Sequence, residues 1–234
     1  MNEKTRMYAG AKTWNPFKGC LFDCVYCKPT FQAQAKRPKC RDCNKYVPHY
    51  HLKSLNHFPS TEIVFFAGNG DISFCKPGFT SQMIWAIKKH NRRCPYKTYY
   101  FQSKRPEYFK PFLSLFPANV ILITTLETNR DGYAFVSKAP VPSVRYEQFK
   151  NLDYPRKAIT IEPIMDFDTE IFLSWIRAIK PEFVHLGFNS HPKAVKLLEP
   201  SKGKVLEFMR MLKAEGVEVR GKDLRGITGT LKQP

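Results

Sequence analysis

Gly19-Cys20-Leu21-Phe22-Asp23-Cys24-Val25-Tyr26-Cys27 is the stretch on which the reading turns. It sets three cysteines at C-x3-C-x2-C spacing in a loop that follows a short strand-like run. The chain has seven cysteines, an odd number, and Met1 to Ala11 contains no apolar leader segment. That combination argues against a disulfide framework and for metal binding or redox chemistry. Thiolates are the usual ligands of iron–sulfur clusters. Three in one short loop can hold three irons of a [4Fe–4S] cube, leaving the fourth iron as the open position where a cofactor or substrate coordinates. The competing reading is a structural zinc knuckle sharing a downstream ligand, although zinc sites more often use paired C-x2-C.

Outward from this loop, short apolar runs recur at wide intervals: Ile63–Ala67, Thr98–Phe101, Val120–Thr124, Ala158–Ile161 and Phe183–Gly187. Continuous β-branched and aromatic character suits strands buried on both faces of a parallel sheet. Tyr8–Trp14 supplies a weaker strand before them, and Val217–Arg220 a final one. Helical stripes fall between. Met83, Ile84 and Ile87 follow Thr80 and Ser81 as caps; Phe109, Phe112, Leu113 and Phe116 are interrupted by Pro111; Phe172, Trp175, Ile176 and Ile179 follow a cap at Asp168; Val205, Phe208, Met209 and Leu212 stop at Gly216. Trp85 and Trp175 read as apolar-face residues. About six strand–helix units are too few for a closed eight-unit barrel. The expected fold is α/β, a partial (β/α)6 TIM-like barrel over residues 1–220, with a basic, loose tail at 221–234.

Residues 28–60 break the pattern. They are rich in Pro, Lys, Cys and His without periodicity, and read as a Cys/His-rich insertion stabilised by something other than an apolar core. Cys40-Arg41-Asp42-Cys43 is followed by His49 and His51, an arrangement that suits tetrahedral zinc. A second iron–sulfur cluster, with Cys75 or Cys94 brought in, and four unligated side chains are the alternatives. The formal net charge is +18. Such a field attracts polyanions, and Tyr46, Tyr50, Tyr96, Tyr99 and Tyr100 offer faces on which bases stack, so nucleic acid, RNA or DNA, is the expected partner. No apolar stretch approaches the ~20 residues of a membrane span, so no membrane partner and a cytoplasmic location are expected.

The triplet resembles the signature of radical S-adenosylmethionine (SAM) enzymes. Thr13-Trp14-Asn15-Pro16 with Gly19-Cys20 is similar to the opening of a small branch of that superfamily found in phages, bacteria and archaea. Gly68-Asn69-Gly70-Asp71, Lys104-Arg105-Pro106, Glu162-Pro163 and Leu186-Gly187 are similar to further pieces of it, in the same order. The chain departs from that branch in a tighter cysteine loop and in carrying Cys40, Cys43 and the histidines beyond, so the branch's substrate does not carry over. The resemblance implies a partial barrel, a [4Fe–4S] cluster on Cys20, Cys24 and Cys27, SAM on its open iron, a reducing electron donor, and cleavage of SAM to methionine and a 5′-deoxyadenosyl radical. It also implies that Tyr26, the aromatic residue before the third cysteine, lies near the adenine.

In a barrel of this kind chemistry sits at the C-terminal ends of the strands. Gly68, Asn69, Gly70 and Asp71 follow the second strand, where glycines let backbone approach the SAM amino group and Asp71 accepts from it; an ordinary turn is the alternative. Thr124, Thr125 and Glu127 follow the fourth strand and Glu162 the fifth, as candidates for the ribose hydroxyls or the methionyl carboxylate side, or as a plain loop and a helix cap. Lys104 and Arg105 follow the third, to pair with a phosphate or carboxylate. His185, within a strand, reads as a hydrogen-bonded barrel residue. The expected activity is SAM cleavage in the service of nucleic-acid modification or repair. Two alternatives stand: a radical SAM enzyme acting on a nucleotide-like small molecule or a peptide, and a zinc-dependent nucleic-acid-binding module without catalysis.

Overall fold

All seven expected strands form and pair. The computed structural model describes residues 8–36, 39–133, 135–221, 224–225 and 227. Its strands are β1 (Ala11–Trp14), β2 (Phe17–Lys18), β3 (His49–Tyr50), β4 (Ile63–Phe66), β5 (Thr98–Gln102), β6 (Val120–Thr125), β7 (Lys157–Ile161), β8 (Phe183–Leu186) and β9 (Glu218–Gly221). Seven make one sheet in the order β1-β4-β5-β6-β7-β8-β9, every pair parallel. Each strand lies beside the one before it, the arrangement of a TIM-like barrel left open. The two-residue strands β2 and β3 form a separate antiparallel pair.

The helices are α1 (Ala33–Ala35), α2 (Arg41–Lys45), α3 (Pro77–Asn91), α4 (Pro142–Lys150), α5 (Thr169–Ile179) and α6 (Lys202–Ala214), with a 3-10 run over Pro106–Leu115. Side chains alternate across the sheet with period two. Val64, Phe66, Tyr99, Phe101, Leu122, Ile159, Ile161, Val184 and Leu186 point outward and share one core with Met83, Ile84, Phe109, Phe149, Phe172, Ile176 and Phe208 from the helical layer. Phe65, Tyr100, Ile121, Ile123, Ala158 and Phe183 form a second apolar cluster on the other face, with Tyr8 and Ala11. Both faces are buried, which is why the strands read as unbroken apolar runs.

Several local expectations are corrected. Helix α3 starts at Pro77, with Lys76 at the N-cap position and no side-chain cap; proline suits the first turn, where its missing N–H costs nothing. Thr80 is therefore buried inside the helix, its hydroxyl 2.7 Å from the Tyr108 hydroxyl. Asp168 does occupy the N-cap of α5 but makes no capping bond, because Arg130 takes both its oxygens, at 2.6 and 2.9 Å. Trp85 is 64% exposed, with the Lys89 ammonium 5.5 Å above its ring. Trp175 is partly buried and stacks on Tyr146 at 4.4 Å. Of the expected tail, Gly221 completes β9, Leu224 is buried and Arg225 pairs with Glu199 at 2.7 Å; residues 222–223, 226 and 228–234 lie outside those described.

The sheet's first edge continues beyond its strands. The loop after β4 follows the chain after β2 as a ladder: the Gly19 amide donates to Asn69 O at 3.0 Å and the Asp71 amide to Gly19 O at 3.2 Å, with Gly19 and Gly70 in a parallel bridge. A Cβ on Gly70 would lie 2.7 Å from Gly19 O and 2.9 Å from Gly19 N. Gly70→Ala should therefore force backbone apart and cost about 1–3 kcal/mol, as overpacking does elsewhere. A lowered urea midpoint with an unchanged slope is the expected result.

Candidate functional site

The three cysteines of the triplet sit where the first βα crossover of a barrel opens, beyond the C-terminal end of β1. All are free; Cys24 is buried, Cys20 and Cys27 partly so. A single 3-10 turn, Val25–Cys27, brings Cys27 N within 2.9 Å of Cys24 O. Phe22, Cys24 and Tyr26 pack with Val136 and Met165. The segment after β6 is laced to the loop by Val25 N to Val136 O, 2.9 Å, and Lys138 N to Phe22 O, 2.7 Å. Ser137 Oγ lies 3.0 Å from Cys24 Sγ. A hydrogen bond from Cys27, helped by the Lys104 cation against the cost of burial, lowers the Cys24 thiol to about 6. The same bond and burial push Cys27 up, and burial raises Cys20. Cys24 is therefore the thiol already inclined to be a thiolate.

Beneath the loop lies a buried charge cluster centred on Glu127. Its Oε1 accepts from the Tyr26 hydroxyl and from Lys104 Nζ, and its Oε2 is 2.7 Å from Arg145 Nη2. Burial alone would raise the Glu127 carboxyl, but Arg145 and Lys104 outweigh it and hold the group far below the ordinary carboxylate range. Arg145 also donates to Thr125 O. The Lys104 ammonium lies 5.3 Å from the Tyr26 ring centroid. Lys104 thus pairs with a carboxylate, as its loop position suggests, and the carboxylate is the protein's own. Glu127 has three of its four lone-pair sites occupied.

The Gly68–Asp71 segment braces this floor. Asp71 accepts from Ser73 N at 2.9 Å, Ser103 Oγ at 2.7 Å and Lys104 N at 2.8 Å, which joins the loops after β4 and β5. Gly68 and Gly70 are required by close approach of chain to chain: a Cβ on Gly68 would meet Thr13 Cγ2 at 2.6 Å. Asn69 is nearly buried, and its backbone amide donates to Asn15 Oδ1 at 3.3 Å, so the Trp14-Asn15-Pro16 stretch and the Gly-Asn-Gly-Asp stretch interlock. Trp14 stacks on Phe58 at 4.3 Å and donates to Ser54 O at 2.8 Å, anchoring the end of the insertion.

Polar residues line the inner wall further along the sheet. Thr125 Oγ1 accepts from Gln102 Nε2 at 2.8 Å, and Thr160 Oγ1 and the Tyr8 hydroxyl are 2.6 Å apart. Glu162 Oε2 is 3.4 Å from His185 Nδ1, and His185 is buried edge-on to Tyr8 at 5.1 Å, a barrel residue as expected. Arg105 lies over Phe22 and Phe74, 5.5 and 5.7 Å from their ring centroids.

The second cysteine–histidine group also assembles. The ligand atoms of Cys40, Cys43, His49 and His51 all lie within 4.8 Å of one another, the one such group of three or more among the described residues. That spacing suits a single ion. Cys75 points its thiol at Lys76 O, 3.6 Å away, and neither it nor Cys94 joins the group.

Sequence reasoning missed three residues. Arg145 sits between Pro142 and Phe149 on the buried face of α4; a cation on an apolar helix face was the available signal. Ser137 carried no signal. Tyr46 was read as an exposed stacking face, whereas it lies beside the triplet and its hydroxyl is pushed up by burial and by Cys27, Cys20 and Cys24. Tyr99 and Tyr100 are also buried, within β5; Tyr96 is 66% exposed and Tyr50 37%.

The open parallel half-barrel is a fold this chain shares with solved structures of very different sequence. The solved structures similar to this chain include a spore photoproduct lyase variant with bound AdoMet and dinucleoside spore photoproduct (TM-score 0.56, 12% identity, covering 94% of this chain and 78% of that one). Streptococcus suis SuiB bound to precursor peptide SuiA matches with TM-score 0.59 and 10% identity, over 91% of this chain and 48% of that one. Native anSMEcpe with bound AdoMet and a peptide matches with TM-score 0.51 and 12% identity, over 90% and 62%. No family model and no curated protein matches the chain. Among the described residues no helix is long and apolar enough to cross a membrane.

Removing one partner of the buried cluster exposes its electrostatics. Arg145→Met should cost about 3–5 kcal/mol by leaving Glu127 underpaired, and adding Glu127→Gln should recover part of it, both read from urea midpoints. Because the Glu127 carboxyl is depressed in the folded state, its contribution is complete above the unfolded value of about 4.3 and drains away as pH falls toward the folded one. Wild-type stability should therefore decline more steeply below that pH than Glu127→Gln stability.

Proposed function

We propose that this chain is a radical SAM enzyme, with Cys20, Cys24 and Cys27 as ligands of a [4Fe–4S] cluster. The observation that carries the reading is a short loop with three free cysteines, in which Cys24 is bonded to Cys27 and lowered to about 6, beside a buried Glu127–Lys104–Arg145 cluster at the end of a parallel half-barrel. The donor set fits the group: soft thiolates from one short loop, with a cation close by to offset cluster charge. When bound and reduced, the cluster supplies the electron that cleaves SAM to methionine and a 5′-deoxyadenosyl radical.

The chain's own residues bind, orient and exclude water. Asn69 and the remaining acceptor site of Asp71 receive the SAM amino group, while Thr125 and Glu162 face its ribose. Tyr26, held through its hydroxyl by Glu127, presents its ring toward the adenine. Glu127 acts as a positioning residue for Tyr26 and Lys104, since its oxygens are taken up within the protein. Val136, Met165 and the segment after β6 close over the loop, keeping water from the reacting atoms. The interlock of Asn15 with Asn69 supports placing the chain in the branch with the Thr-Trp-Asn-Pro opening.

For the substrate, a peptide or a nucleotide-like small molecule is favoured over polymeric nucleic acid. Two of the similar structures hold peptides and two a dinucleoside. The net charge of +18 still favours anions, but burial of Tyr99 and Tyr100 removes two of the aromatic faces a stacking surface would use. A reducing donor completes the reaction.

Protein isolated without oxygen should be brown, contain about four irons per chain, the content of one cube, and release 5′-deoxyadenosine when given SAM and a strong reductant. Cys24→Ala should lose both colour and 5′-deoxyadenosine; turnover retained in that variant refutes the assignment. Stimulation of SAM cleavage by RNA or DNA, and not by peptides or dinucleotides, would return the substrate to nucleic acid.

A further inference from the structure

The insertion between β2 and β4 has apolar anchors only near its end, where Leu55 and Phe58 pack on the barrel core. Of its described residues from 28 to 60, Ala35 and Cys43 alone are buried. Yet it folds into a defined path: α1, α2, a left-handed residue at Tyr46 (φ 57°) and the β2–β3 pair. A segment without a core needs another source of folding energy, and a bound metal is one.

The four side chains that meet there are arranged as one ion would require. His49 Nε2 lies 3.5 Å from Cys40 Sγ and 3.3 Å from Cys43 Sγ; His51 Nε2 lies 3.3 Å from Cys43 Sγ, and the two imidazole nitrogens are 2.8 Å apart. Tetrahedral zinc with ordinary bond lengths sets sulfur–nitrogen edges of about 3.6 Å and nitrogen–nitrogen edges of about 3.3 Å. His49 Nδ1 is 2.7 Å from Val47 O; donating there, it leaves Nε2 as the lone-pair atom facing the sulfurs, the usual support for a ligating histidine. The Cys43 amide points at Cys40 Sγ, 3.4 Å away, a contact that favours thiolate over thiol.

The residues between these ligands touch the catalytic loop directly. Tyr46 O accepts from the Cys20 amide at 3.2 Å. Val47 O abuts Gly19 so closely that a Cβ there would lie 2.1 Å away. Lys18, next to Gly19, pairs with His49 itself. We propose that Cys40, Cys43, His49 and His51 bind one structural zinc ion, and that this ion holds the insertion against Gly19 and Cys20 and so fixes the position of the first cysteine of the triplet. Four protein ligands close the coordination sphere, which is the mark of a structural site. The inference concerns the insertion and does not require the triplet to carry a cluster.

The test begins with full-length protein carrying Cys20→Ala, Cys24→Ala and Cys27→Ala together, so that no iron site at the triplet contributes. Elemental analysis should give one zinc per chain. Cobalt substitution should give the intense visible bands of a tetrahedral thiolate–imidazole site, lost in Cys43→Ser and weakened or shifted in His51→Ala. Absence of stoichiometric zinc, or a weak six-coordinate cobalt spectrum, overturns the metal site. The bracing role is read in wild-type protein by hydrogen exchange. Stripping zinc with a chelator should remove protection from the Gly19 and Cys20 amides while leaving β6 and β7 protected. Unchanged exchange at Gly19 and Cys20 after complete zinc loss overturns the brace and leaves the ion a local role only. Failure of the SAM-cleavage reading would show in the wild-type iron and 5′-deoxyadenosine assays and would leave these outcomes untouched.

Discussion

The backbone contact at Gly19 is the constraint on which the rest of the site depends. Three pieces of chain crowd one Cα: the loop after β4 bonds to it on both sides, Val47 of the insertion presses on it, and β2 delivers it. Gly19 has φ +95°, where a side chain would be strained even with space available. Glycine at 19 and at 70 lets two backbones run within ladder distance immediately before Cys20. The cysteine loop is therefore suspended from main-chain bonds, which do not depend on side-chain rotamers, and its first sulfur has little freedom relative to the sheet.

Charge supplies the second level of rigidity. Glu127, Lys104 and Arg145 are almost entirely withdrawn from water, so their mutual attraction is weakly screened and the loss of any one is costly. The carboxylate comes from the loop after β6, the ammonium from the loop after β5, the guanidinium from α4, and Tyr26 adds the cysteine loop. Asp71 performs the same service for the loops after β4 and β5. Four successive strand ends are thus tied together beneath the triplet. Acidic residues in such loops look like ligands for a small molecule; here much of their hydrogen-bonding capacity is spent on aligning the loops themselves.

The barrel framework was legible because it rests on patterns that sequence displays directly. Runs such as Val120–Thr124 and Phe183–Gly187 are apolar throughout, since both faces of a parallel strand are covered, and the observed strands differ by a residue or so at either end. The Cys40–His51 group was legible for a different reason: convergent Cys and His side chains need particular residue types at short spacing, so local sequence carries them. Trp85 and the stacking tyrosines were misjudged because their exposure depends on which neighbour covers them. Tyr99 and Tyr100 resemble a surface aromatic pair until β5 is seen to lie between β4 and β6.

Sequence alone determined the class of fold and the Cys/His group of the insertion whose ligand atoms converge, because each is a property of residue type and near spacing. Tertiary structure decided what the charged residues do. Glu127 and Arg145 are 18 positions apart in the chain and Glu127 and Lys104 are 23 apart, and nothing in their local sequence says that they neutralise one another. Pairing across the sheet brings them together, and burial leaves their charges to one another rather than to water.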